Sequence, residues 1–160
     1  MRFPLVSILF FYLNTISCDP FFHGMVHPSF QWEPELAVMA LDIMEEVEHD
    51  GGCIPLERLI QIQQVVFDDD LDESEGDSYT LGLTETSPGW VKISIRPNLS
   101  SKLTREVLAH ELGHGLWDFD HSSDPNDLMS PYLSEVSEGD YHEQIKVFSY
   151  QVDNKFHCER

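Results

Sequence analysis

The stretch that decides the reading runs His110-Glu111-Leu112-Gly113-His114-Gly115-Leu116-Trp117-Asp118-Phe119-Asp120-His121-Ser122-Ser123-Asp124-Pro125-Asn126-Asp127-Leu128-Met129-Ser130-Pro131. It opens on the pattern H-E-x-x-H. Upstream, residues 103–116 carry Leu108, Leu112 and Leu116 at intervals of four, with Val107 beside them. That spacing predicts a helix with one buried stripe, capped by Ser101 or Thr104. Helix positions four apart share a face, with Cβ atoms about 5–6 Å apart. His110 and His114 can therefore reach one metal ion, and zinc is the ion such imidazoles suit. Glu111 points aside from the ion but can reach a water the metal activates, as a general base. The Leu stripe buries the opposite face and leaves the histidine pair facing a cleft.

Two imidazoles and a water leave one place for a third protein ligand. Asp120 and His121 lie just downstream, and Met129 follows. Here the chain resembles the metzincin metallopeptidases, and among them the matrixins. Residues 121–131 look like the matrixin segment from third ligand to Met-turn, and residues 110–116 like its active-site helix. The resemblance implies His110, His114 and a third group as ligands of one catalytic Zn²⁺, Glu111 as base and Met129 as an apolar floor. It implies an α+β or α/β zincin: a twisted mixed β-sheet, a long N-terminal helix, the active-site helix, the Met-turn and a C-terminal helix. The upper part would cover about residues 18–117 and the lower part about 118–160.

One departure stands out. Trp117 occupies the place of the family's glycine, Asp120 that of the third histidine, and His121 comes one place late. An extra residue after His114 keeps His121 in register with Met129. The rival alignment makes Asp120 the ligand, as in snapalysin-like members. The long downstream match and the commoner use of imidazole favour His121. The missing glycine would have supplied a positive φ. Trp117 resists that conformation, and either Asp118, which tolerates it, or the added residue itself could make the turn. Tyr132 does not match the offset of a metzincin oxyanion tyrosine, so a packing role is expected.

Working outward, residues 34–49 place Leu36, Met39, Ile43 and Val47 on one helical face, with Pro34 at the start and Gly51-Gly52 after the end. Residues 59–67 alternate apolar and polar and read as a strand, with a short helix as the other reading. Residues 68–77 form an acidic loop. It lacks the EF-hand order, so Ca²⁺ binding is unsupported and a solvated loop is expected. Residues 79–86 and 90–95 read as a hairpin about Ser87-Pro88-Gly89. In the second strand Val91, Ile93 and Ile95 alternate with Trp90, Lys92 and Ser94, which predicts an exposed edge able to pair an extended substrate. Asn98-Leu99-Ser100 fits the N-glycosylation pattern, which matters only in a eukaryotic host. Residues 139–152 predict a last helix with Tyr141, Ile145, Phe148 and Val152 in the core. His23, His27, His49, His142 and His157 are read as surface or packing histidines.

The 160 residues hold 29 acidic and 9 basic side chains, a net charge of −20, which excludes nucleic acid as a partner. Residues 1–17, with Arg2 before an apolar run, read as a secretory signal peptide, too short to span a bilayer. Residues 18–160 then form one metallopeptidase domain, secreted or in the cell envelope. Thr15-Ile16-Ser17-Cys18 loosely resembles a lipobox, which would anchor Cys18 to lipid and leave Cys53 and Cys158 for a disulfide; without it one of the three cysteines is left over and the pairing stays open. Residues 18–33 are short for a latency pro-segment, so no cysteine switch is expected. The expected protein is a monomeric zinc endopeptidase acting on proteins or peptides. The other readings are an inactive binding module and an amidase of cell-wall peptides.

Overall fold

The computed structural model describes residues 30–72, 80–132 and 137–158. The expectations for residues 1–17, Cys18, His23 and His27 lie outside them, as does the second half of the acidic loop, residues 73–77.

Helix α1 spans Pro34–His49 and buries Leu36, Ala40, Ile43, Met44 and Val47. Pro34 suits the first turn because its missing N–H has no partner to lose. Gly51, at φ +100°, carries the chain out of the helix. A single turn, α2 (Leu56–Leu59), precedes strand β2 (Ile62–Phe67). The predicted strand over 59–67 thus gives up its first residues: the Pro55 carbonyl accepts from the Arg58 and Leu59 amides at 3.0 Å each.

The fold is mixed α+β, with a four-stranded sheet in the order β1-β2-β4-β3, where β1 is Gln31–Trp32, β3 Gly82–Ser87 and β4 Trp90–Ile95. β1 and β2 are parallel, as are β2 and β4, while β3 runs antiparallel to β4. The hairpin turn is Pro88-Gly89, with Gly89 at φ +75°. One prediction is overturned here. Trp90, Val91, Lys92, Ile93, Ser94 and Ile95 form an interior strand, hydrogen-bonded on both sides, and the edges among the described residues are β1 and β3. The polar residues that suggested an edge have partners instead. Lys92 Nζ lies 3.1 Å from Asp68 Oδ2, and Ser94 Oγ donates to the same oxygen at 3.0 Å. Asp68 is therefore a crosslink between β2 and β4 and not part of a solvated loop.

Helix α3 (Ser101–Gly115) packs on β3, β4 and α1, and α4 (Glu138–Phe156) packs on α1. The α3 cap is Ser100, which accepts from the Leu103 amide, in place of Ser101 or Thr104. α4 begins one residue before and ends four after the predicted 139–152, and Tyr141, Ile145, Phe148 and Val152 are buried as expected. A Cys53–Cys158 disulfide ties the segment after α1 to the end of α4 across 105 residues of sequence. A crosslink closing so long a loop stabilises by about 4–5 kcal/mol in the chain-entropy picture. No helix among the described residues is long and apolar enough to cross a membrane.

The Lys92 hydrogen bond holds the Asp68 carboxyl below its usual range. A carboxylate with a depressed folded pKa stabilises above its unfolded value, about 3.9, and loses that contribution as pH falls through the folded value. Asp68→Asn is expected to lower the unfolding free energy by about 1 kcal/mol at pH 7. The gap from wild type should close as pH falls below about 3.9, read from urea midpoints across pH.

Candidate metal centre

Helix α3 delivers the first two histidines one turn apart, and each is locked by a backbone carbonyl. His110 Nδ1 lies 2.8 Å from the Leu128 oxygen and His114 Nδ1 2.6 Å from the Phe119 oxygen. A carbonyl can only accept, so both Nδ1 atoms carry the proton and both Nε2 atoms present lone pairs. Those lone pairs converge: His114 Nε2 and His121 Nε2 stand 3.1 and 3.2 Å from His110 Nε2. The three imidazoles form a group that could hold a metal ion, with ligand atoms all within 4.8 Å of one another. Converging lone pairs repel unless a cation sits between them, so the donor set fits a metal. Burial lowers the His110 pKa to about 4 and also lowers that of His114. Neutral imidazole, the ligating form, is then the state at pH 7.

His121 stands in this group and Asp120 does not. Asp120 still lies close enough that its charge favours the protonated form of His114. The chain leaves the end of α3 through a tight set of backbone hydrogen bonds. The Trp117 amide reaches back five residues to the Leu112 carbonyl at 3.3 Å, one more than an α-turn, and the Phe119 amide reaches Gly113 at 3.0 Å. Asp118, at φ +57°, makes the left-handed turn that follows. Trp117 is spared that conformation. Its indole is fully buried, donates from Nε1 to the Cys53 carbonyl at 2.9 Å and meets the Phe148 ring edge-on.

Glu111 is buried beside the pair, on the side facing β3. Burial pushes its carboxyl up to about 7, against the pull of the Thr84 hydroxyl, which donates to Oε2 at 2.7 Å. A group with that pKa can accept and release a proton near neutrality. Thr84 and Gly82 are site residues the sequence reading missed. Only the pairing of β3 with β4 brings them to Glu111, and no local motif marks them. A Cβ on Gly82 would stand 2.7 Å from Glu111 Cγ and Oε1 and from Val107 Cγ1. Glycine there lets the edge strand touch the carboxylate.

Met129 is buried and packs on Gly113, where a Cβ would collide with the methionine sulfur. Its loop is tied to both ends of the histidine group. The Leu128 carbonyl holds His110, and the Met129 carbonyl accepts from the Ser122 amide at 2.8 Å. Tyr132 is 83% exposed, so the packing role expected for it is not found.

No protein-family model matches this chain, and no curated protein matches it.

The tight contact at Gly82 yields a contrast between two glycines. Gly82→Ala is expected to lower stability by about 1–3 kcal/mol through overpacking against Glu111 and Val107. Gly139→Ala, in the first turn of α4 with only Ser137 Oγ nearby at 3.9 Å, should be neutral or raise stability by up to about 1 kcal/mol. Thermal denaturation of the two variants checks both signs.

Proposed function

We propose that the chain is an exported zinc-dependent endopeptidase of the metzincin type, resembling the matrixins. The observation that carries the reading is the convergence of three imidazoles beside a buried carboxyl at an open sheet edge. Tetrahedral zinc with bonds of about 2.0–2.1 Å spaces its ligand nitrogens about 3.3 Å apart, close to the 3.1 and 3.2 Å separations from His110. Three histidines leave a fourth position free, the arrangement of catalytic rather than structural zinc sites. His110, His114 and His121 would hold the ion, which when bound supplies a Lewis acid that polarises a carbonyl and makes water acidic.

The remaining chemistry belongs to the chain's own residues. Glu111 takes a proton from water at a carboxylate oxygen and delivers it to the leaving amine. Thr84 fixes the orientation of that carboxyl through Oε2. The outer edge of β3 has no strand partner among the described residues. It runs beside Glu111 and is the place where an extended peptide would add as a further strand. This edge replaces residues 90–95 as the substrate strand. Leu83 and Glu85 are exposed along it, and the charge of −20 favours basic substrates. The Cys53–Cys158 disulfide is of the kind that persists in oxidising compartments, which supports export.

The zinc-loaded protein is expected to cleave an unfolded protein such as reduced casein, and Glu111→Ala to lower the rate about 10²–10⁴-fold with zinc still bound. Equal rates in the two proteins would remove Glu111 from the chemistry. Zinc binding with no cleavage by either would reassign the domain to binding or to a non-protein amide.

A further inference from the structure

The turn that carries His121 is held from outside the site, and its supports converge on one covalent bond. Asp118 sits in the left-handed region at φ +57°, which aspartate tolerates better than most residues but less freely than glycine. Its carboxylate lies 3.1 Å from Arg58 Nη2 and 3.7 Å from Lys155 Nζ. Lys155 also donates to the Asp118 carbonyl and lies 4.6 Å from the Phe119 ring centre. The residue before, Trp117, is held through its indole by the Cys53 carbonyl. Arg58 stands on α2 just after Cys53, and Lys155 on the last turn of α4 just before Cys158. The Cys53–Cys158 disulfide joins those two segments, with Cα atoms 5.6 Å apart. Exposed ion pairs are weak by themselves. Arg58 and Lys155 grip Asp118 together, and the disulfide joins the two segments that carry them.

We propose that the Cys53–Cys158 disulfide is a redox-sensitive clamp on the metal centre, with Asp118 as the positioning residue through which it acts on His121. The inference rests on the reading that the three histidines bind zinc. A dithiol reductant supplies two electrons and two protons. The S–S bond breaks, each cysteine sulfur leaves as a thiol, and the reductant closes to its own disulfide. Freed from each other, α2 and the α4 terminus release Trp117 and Asp118. The turn then relaxes from positive φ and His121 swings away. His110 and His114 stay on α3, so the site falls from three imidazoles to two. Under reducing conditions the protein would release its metal, and in an oxidising compartment it would retain it.

The test is Zn²⁺ affinity by chelator competition, with the Co²⁺ visible spectrum as the reading of coordination. The wild-type disulfide form is compared with Cys53→Ser/Cys158→Ser, which avoids new thiol ligands, and with His121→Ala as the two-imidazole reference. The serine pair is expected to weaken Zn²⁺ binding about 10–100-fold and to shift the Co²⁺ spectrum toward that of His121→Ala. Adding Asp118→Gly to the serine pair should recover much of the affinity, because glycine takes positive φ without support. A global loss of packing would not be rescued in that way. If the serine pair does not fold, Arg58→Ala/Lys155→Ala with the disulfide intact decides, with a severalfold loss expected. Equal affinity with and without the disulfide, or in the fallback with and without the two cations, overturns the clamp alone. No metal bound by the wild type overturns the metal reading and the clamp with it.

Discussion

Three imidazole Nε2 atoms brought together are the constraint around which the described residues are arranged. His110 and His114 come from one helix, but the carbonyls that orient them come from Leu128 and Phe119, further along the chain. The helix, the turn after it and the Met129 loop are therefore parts of one device. Each Nδ1–H bond fixes a tautomer, and each tautomer aims an Nε2 at the same point. An error in the turn at Asp118 would move the Phe119 carbonyl away from His114 and His121 away from the group together.

Close packing positions that device. Glycine recurs where backbones meet the site: Gly113 against Met129 and Gly82 against Glu111. On the far side of α3, Leu108, Leu112 and Leu116 are fully buried. The helix is thus held from behind by the core and presents its polar face toward β3 and the 119–129 segment. The buried Glu111 avoids an unmatched charge by hydrogen bonding Thr84 and by a pKa raised to about 7.

Much of this was legible in the residues. The H-E-x-x-H spacing, the stripe of leucines and the Pro88-Gly89 turn each carry a local signal, and the elements they predict are present. That Asp118 could take a positive φ was readable from its residue type, with the added residue as the other candidate. Strand order was not, because it depends on distant partners. Lys92 and Ser94 alternate with apolar residues as an exposed face would, yet Asp68 satisfies both, so β4 sits inside the sheet. Thr84 was invisible for the same reason: its contact with Glu111 spans 27 residues of sequence. The competition between Asp120 and His121 could be framed from sequence but not closed. The structure brings His121 to His110 and His114 and leaves Asp120 outside that group.

The central claim is that zinc is held by three imidazoles, with His121 as the third. X-ray absorption at the zinc edge of the metal-loaded protein tests it directly. The account predicts outer-shell scattering from three histidine rings and a first shell of nitrogen or oxygen at about 2.0–2.1 Å. In His121→Ala the count should fall to two rings, and in Asp120→Ala it should stay at three. A wild-type spectrum with two rings, unchanged in His121→Ala and altered in Asp120→Ala, would contradict it.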